Sequence, residues 1–296
     1  MSFEKEQEER VEYIDAVIKG YLPDEKGYQK KLLEAMNYSM LSGGKRIRPL
    51  LMLETFRLFQ KEENKVIEPF MAAMEMIHTY SLVHDDLPAM DNDEYRRGRK
   101  TTHVQYGEAF GILAGDGLLN YAFEVASTAF DLDSDIRRVA KAMRILAVKP
   151  GINGMIGGQA VDVESCNQPM NKEKLEFIYR LKTSALIEGS MMIGAILGGA
   201  DQEEISLIES IGADVGFAFQ IQDDILDVTS TLEKLGKPVL SDEKNNKMTY
   251  VTLEGVENSK LEVERISKRA LDNLNKLKYT NEFLNRLIIG LIGREK

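Results

Sequence analysis

The chain has 296 residues, 43% hydrophobic and 29% charged, which suits a globular protein with a full core and excludes a disordered one. A net charge of -10 excludes a general nucleic-acid binder, while the single cysteine, Cys166, excludes an intrachain disulfide framework and suits a reducing compartment. The charged start Met1-Ser2-Phe3-Glu4-Lys5-Glu6 lacks a secretory core, and the longest apolar stretch, about Met191 to Ala200, is too short to span a bilayer, so a cytoplasmic protein without a membrane span is expected.

Apolar residues recur at helical spacing almost throughout, and no run alternates as a strand would. Ser2 is suited to cap a first helix carrying Val11, Ile14 and Ile18 and stopping near Gly20. A second is expected from about Asp24 to Leu41, and a third beginning at Pro49. A fourth, from about Val66 to Asp86, is apolar nearly all round at Phe70, Met71, Ala72, Met74, Met76 and Ile77, which predicts a buried central helix. Thr102 and Glu108 open the next helical region, to about Ala129, and Asp133 is expected to cap another ending before Pro150. Gly151 to Val163 is short and glycine-rich, and a long helix should follow from Asn171 to about Gly198. Asp201 is suited to cap one reaching Val228, again apolar at Ile205, Ile208, Ile211, Val215 and Phe217. After a loop from Ser230 to Lys247, two or three amphipathic helices complete the chain. No Ser/Gly/Pro-rich linker divides it, so residues 1–296 read as a single all-α domain, a many-helix bundle around two buried central helices.

Each of those two helices ends in an Asp-Asp pair. The first runs His84-Asp85-Asp86-Leu87-Pro88-Ala89-Met90-Asp91-Asn92-Asp93, with Arg96-Arg97-Gly98 beyond it. So many carboxylates close together need neutralising, by solvent on a surface turn or by a divalent cation in a site. Asp85 and Asp91 are about 120° out of phase on an ideal helix, and Pro88 disfavours helix at Leu87. The expectation is that Asp85 and Asp86 close the helix while Asp91 and Asp93 return from a turn. In Gln220-Ile221-Gln222-Asp223-Asp224-Ile225-Leu226-Asp227, Asp223 and Asp227 share a helix face about 6 Å apart. Like charges there, near a helix C-terminus, destabilise a bare helix, and a cation between them reverses the sign. If the two helices pack as neighbours, both acid groups can face one cavity. The ligands are all hard oxygens, which points to magnesium, commonly shared between carboxylates and phosphates.

Cations accompany the acids. Gly43-Gly44-Lys45-Arg46-Ile47-Arg48-Pro49 places three of them at a helix start, where anions are favoured, although by itself it also reads as a solvated basic turn. Lys182-Thr183 interrupts an apolar helix, where the lysine alone can snorkel. Lys237 and Lys247 flank a loop able to close as a lid. His78 lies on the buried fourth helix, where a satisfied core histidine is the more common case.

In order, GGKRIRP (43–49), HDDLPAMDND (84–93) with RRG (96–98), GGQAVD (157–162), KT (182–183), FQIQDDILD (219–227) and LGKPVLSDEKNNK (235–247) resemble the trans-isoprenyl diphosphate synthases. The four-residue spacer in DDLPAMD is similar to the bacterial farnesyl diphosphate synthase branch. The resemblance implies an isoprenoid-synthase bundle with a central active-site cavity and a magnesium-dependent, head-to-tail condensation of an allylic diphosphate with isopentenyl diphosphate, giving farnesyl diphosphate. It implies that Lys45, Arg48, His78 and Arg97 hold isopentenyl diphosphate. Asp85, Asp91 and Asp223 would ligate three magnesium ions, with Asp86, Asp224 and Asp227 in support. Arg96, Lys182, Thr183, Gln220, Lys237 and Lys247 would line the allylic diphosphate, with Gln159 and Asp162 nearby. It also implies that Tyr80, with Ser81, limits product length, and that the chain forms a homodimer through the helix around Gly111 to Phe123.

Three other readings compete. A synthase stopping at geranyl or extending to geranylgeranyl diphosphate differs only in product. An all-α metal phosphohydrolase would use His84-Asp85, but it needs several histidine ligands where this chain has three histidines in all. A silent partner subunit of a longer-chain synthase should have lost a motif, and both acidic motifs are intact here.

Overall fold

The computed structural model describes residues 2–60, 62, 64–133, 135–166, 168–229 and 248–293. Among them the architecture is all-α, with one two-stranded hairpin. The chain divides into two compact units, Met1–Leu53 with Glu62–Met143, and Glu54–Lys61 with Arg144–Lys296.

In the first unit, α1 (Phe3–Gly20) starts as expected at Ser2, whose hydroxyl accepts the Lys5 N–H at 3.3 Å. Helix α2 (Lys30–Met40) begins later than expected, because Gly27 takes φ 80° and Lys26 folds onto Asp24 at 2.7 Å, making a turn of that stretch. Helix α3 (Ile47–Phe59) starts ahead of Pro49, which falls inside the first turn, where its missing N–H costs nothing. Helix α4 (Ile67–Asp85) is buried through its middle, as its composition predicts. A hairpin follows, β1 (Tyr95–Arg96) antiparallel to β2 (Arg99–Lys100), with Arg96 opposite Arg99. Helix α5 (Thr102–Tyr106) is parted from α6 (Glu108–Ser127) by Gly107 at φ 94°, and α6 packs along α4. Helix α7 (Ile136–Val148) is capped by Asp135, which accepts the Arg138 N–H at 3.2 Å; Asp133 instead accepts from Asp135 at 2.8 Å.

In the second unit, α8 (Met155–Glu164) precedes α9 (Lys172–Ile178), which Asn171 caps by accepting the Lys174 N–H at 2.9 Å. The long helix expected here is broken by a π-helical turn, Tyr179–Ser184, before α10 (Ala185–Gly198). Helix α11 (Gln202–Thr229) opens with reciprocal bonds of 2.9 Å between Asp201 and Glu204, a capping box. Helices α12 (Tyr250–Glu254), α13 (Val256–Leu274) and α14 (Glu282–Ile292) follow. The most deeply buried helix of this unit is α10, enclosed at every residue but Glu188, whereas α11, expected to be the central one, keeps a partly exposed face. Helix α11 packs on α10 and α13. Among the described residues no helix is long and apolar enough to cross a membrane.

Candidate active site

The first unit gathers the cations. Before α3 the chain turns through Gly43, Gly44 and Arg46 at φ 80°, 144° and 47°. A non-glycine residue is strained at such an angle. Arg46 is held there by its buried side chain: Nε donates to Asp15 at 2.8 Å, Nη1 to Glu75 at 2.8 Å and Nη2 to the Met40 carbonyl at 3.0 Å. With Arg46 turned inward, its neighbours Lys45 and Arg48 stay exposed and half-buried respectively. Arg97 and Gly98 form the centre of the hairpin at φ 53° and 74°, both positive as a type I′ turn requires. Arg97 donates to the Gly43 carbonyl, and a Cβ on Gly44 would lie 2.6 Å from its guanidinium and displace it, while φ 144° strains any side chain at position 44.

His78, half-buried on α4, completes this group. Burial, then the charges of Arg48, Arg97, Arg96 and Arg46, hold its pKa well below 6.5, so it is neutral at pH 7. Burial pushes Arg48 down to about 10, against the pull of Glu75 and with the repulsion of Arg97, and its Nε has no hydrogen-bond partner among the described residues. Crowded guanidiniums around a neutral imidazole form a site whose repulsion an anion relieves.

The first acidic motif folds as its spacing predicts. Asp85 ends α4, Asp86 caps it, and the chain reverses with the Asp91 N–H donating to the Asp85 carbonyl at 2.8 Å. The motif therefore sorts into two kinds of acid. Asp85 is half-buried and Asp91 exposed. Asp86 is buried and accepts from Arg96 Nε at 2.8 Å, while Arg96 also lies 3.7 Å from Asp93. Burial raises the Asp86 pKa and the Arg96 hydrogen bond and charge oppose it. Among the described residues the three non-glycine residues at positive φ are Arg46, Asn92 and Arg97, all in these two motifs. One turn back from the acids, the Tyr80 ring is buried edge-on to His84 at 5.8 Å, and its hydroxyl has no partner among the described residues. Burial and the charge of Asp85 push Tyr80 up to about 12. Half-buried Ser81 donates to the His78 carbonyl at 2.8 Å, and His84 lies 3.1 Å from the Ile112 carbonyl on α6.

In the second unit Lys182 and Thr183 sit in the π-helical turn. Lys182 donates to Asp162 on α8 at 2.6 Å, and Thr183 to Gln220 on α11 at 2.8 Å. Gln159 is half-buried, one turn before Asp162. A Cβ on Gly158 would meet the Lys182 backbone nitrogen at 2.4 Å, so glycine lets α8 approach the turn. Asp223 is half-buried, whereas Asp224 and Asp227 are buried. Asp224 accepts from Tyr179, Gln220 and the Tyr250 N–H at 2.5, 3.2 and 2.8 Å. Lys237 and Lys247 lie outside the described residues.

Among the described residues no three acidic, histidine or cysteine side chains converge to hold a metal by themselves. Magnesium takes one or two carboxylates and completes its octahedron with phosphate and water. Asp85 and Asp223 are half-buried and Asp91 exposed, and as hard-oxygen acids they are of the type that such an ion takes. The partners Asp15, Glu75, Tyr179 and Tyr250 escaped the sequence reading. Glu75 alone carried a signal, as a charge inside the apolar run from Met71 to Ile77.

The family Polyprenyl synthetase matches residues 29–284. The chain is 44% identical to a farnesyl diphosphate synthase of Geobacillus stearothermophilus, over 86% of this chain and 84% of that one. It is 40% identical to a geranylgeranyl diphosphate synthase of Cyanophora paradoxa, over 90% and 88%. Its fold matches the crystal structure of a Helicobacter pylori geranyltransferase complexed with magnesium and isoprenyl diphosphate, with a TM-score of 0.84, 32% identity, and 99% of this chain and 97% of that one covered.

Proposed function

The chain belongs to the polyprenyl synthetase family, and on that premise we propose that it joins isopentenyl diphosphate head to tail to dimethylallyl and then geranyl diphosphate, stopping at farnesyl diphosphate. One observation carries the reading. Helix α4 bears neutral His78, amid the arginines, two turns before the acid pair of Asp85 and Asp91. Two turns are about 10 Å, room for an anion without metal beside an anion with it.

In this reading Lys45, Arg48, His78 and Arg97 hold isopentenyl diphosphate. Arg96, Lys182, Thr183, Gln220, Lys237 and Lys247 hold the allylic diphosphate. Asp85, Asp91 and Asp223 carry magnesium, three ions per site, and Asp86, Asp224 and Asp227 hold the structure around them. Magnesium, when bound, neutralises the charge that develops on the departing diphosphate. Lys182, steadied by Asp162 at 2.6 Å, donates to that same charge, and Thr183, whose hydroxyl donates to Gln220 at 2.8 Å, lines it. The allylic C–O bond breaks with its electron pair leaving on diphosphate. The isopentenyl double bond then forms the new C–C bond, and the proton lost goes to the departed diphosphate. Buried apolar side chains of α4 keep water from the carbocation. We take residues 1–296 as one catalytic domain, because a single family match runs through both units. Exposed Cys166, free of any disulfide, suits the cytoplasm. Ile112 and Leu113, exposed on α6, suit a second copy of the chain, which sedimentation would report as a dimer and a monomer at working concentration would contradict.

The Tyr80 ring limits the product to fifteen carbons. Small Ser81 and the geranylgeranyl-forming relative favour the second reading, extension beyond farnesyl. Incubation with isopentenyl and geranyl diphosphate, with and without magnesium, tests both. Farnesyl diphosphate should form only with magnesium, and Tyr80→Ala should lengthen it. No prenyl product in magnesium would refute the transferase, and an unchanged distribution in Tyr80→Ala would refute the role of Tyr80.

A further inference from the structure

The π-helical turn Tyr179–Ser184 inserts an extra residue where Lys182 and Thr183 sit. Such turns weaken helical hydrogen bonding and persist only when their surroundings hold them. Here the turn is gripped at both ends. At its end, Ser184 donates to the Tyr179 carbonyl at 3.1 Å. At its start, the buried Tyr179 hydroxyl donates to Asp224 at 2.5 Å, and its ring lies 6.3 Å from that of Phe217. Asp224 also accepts the Tyr250 N–H at 2.8 Å, and the Tyr250 ring meets Phe217 edge-on at 6.2 Å. The other oxygen of Asp224 accepts from Gln220 at 3.2 Å, and Gln220 accepts from Thr183 at 2.8 Å. The contacts close a ring: Thr183, Gln220, Asp224, Tyr179 and back along the turn.

We propose that Tyr179 is a positioning residue for the allylic diphosphate: its bond to Asp224 sets Lys182 and Thr183 in register with the adjoining Asp223. The inference rests on the proposed function for its ligand. Asp224 accepts from the protein on both oxygens, so it aligns Lys182 and Thr183 beside the half-buried Asp223. A phenol donating to a carboxylate is a charge-assisted hydrogen bond, short and directional, suited to fixing a register.

The test is Tyr179→Phe, which keeps the ring and removes the hydroxyl, against Phe217→Leu, which weakens the packing and keeps the bond. Binding of magnesium with inorganic diphosphate is measured by calorimetry, together with thermal unfolding and the KM of each substrate. Tyr179→Phe should weaken magnesium diphosphate and raise the allylic KM about tenfold, the scale of one hydrogen bond to a charged group. The isopentenyl KM should hold, and Phe217→Leu should lower the melting temperature without changing either KM. Wild-type affinity in Tyr179→Phe, or an equal rise in both KM values, would overturn the inference alone. A wild-type chain that bound no magnesium diphosphate would overturn the proposed function, and this inference with it.

Discussion

Arg46 and His78 show how single residues can shape the proposed anion site without touching the anion, or without carrying charge. The Arg46 and Glu75 side chains are each 3% exposed and paired at 2.8 Å. Arg46→Met would leave Glu75 a buried carboxylate without its main partner and should cost about 3 kcal/mol. Chemical denaturation reads this, and Arg46→Met with Glu75→Leu should recover most of the loss. A cost near zero for the single variant would contradict the clamp. His78 has a folded pKa below its ordinary value of 6.5. Falling pH therefore protonates the unfolded chain first, so the unfolded state binds more protons and stability drops from about pH 6.5 downward, until the folded pKa is passed. The urea midpoint should fall over that window and fall less in His78→Gln. An identical pH dependence in the two would contradict a neutral His78. The clamp was not legible in the sequence, because Asp15, Arg46 and Glu75 stand on separate segments and only folding joins them. The split between Asp85 and Asp86 was legible only as a ranking, since adjacency leaves open which acid turns inward.

The elements themselves were largely legible, because their signals are local. Ser2, Asn171 and Asp201 cap the helices they precede, and each accepts the N–H three residues on. The apolar girth of α4 announced its burial. What the sequence withheld came from backbone geometry with no compositional mark. The turn at Gly27 delays α2, and the π-helical turn divides the helix expected from Asn171 to Gly198. The burial of α10 beyond that of α11 depends on which neighbours cover each helix, which periodicity does not encode. The π-helical turn also sets a steric demand. Gly158→Ala would place a methyl group 2.4 Å from the Lys182 backbone nitrogen, an atom that cannot yield as a side-chain tip can. Displacing Lys182 by about 1 Å should lower kcat/KM for the allylic substrate about a hundredfold. Steady-state kinetics at wild-type activity would show that the contact is not felt.

At the scale of the whole molecule, six ordered motifs specified the family, and the family match runs from residue 29 to 284. The motifs carry charge and backbone turns into the sequence directly, which is why the family was more legible than helix boundaries. Product length was less so, because relatives of similar identity are farnesyl and geranylgeranyl diphosphate synthases. The proposed reaction is transfer rather than hydrolysis. It is tested most directly by counting diphosphate released against labelled isopentenyl units incorporated, with geranyl diphosphate as acceptor and magnesium present. One diphosphate should be released for each isopentenyl unit joined, in a farnesyl product, and none of either when magnesium is chelated. Phosphate or diphosphate released without incorporation of the label would contradict it.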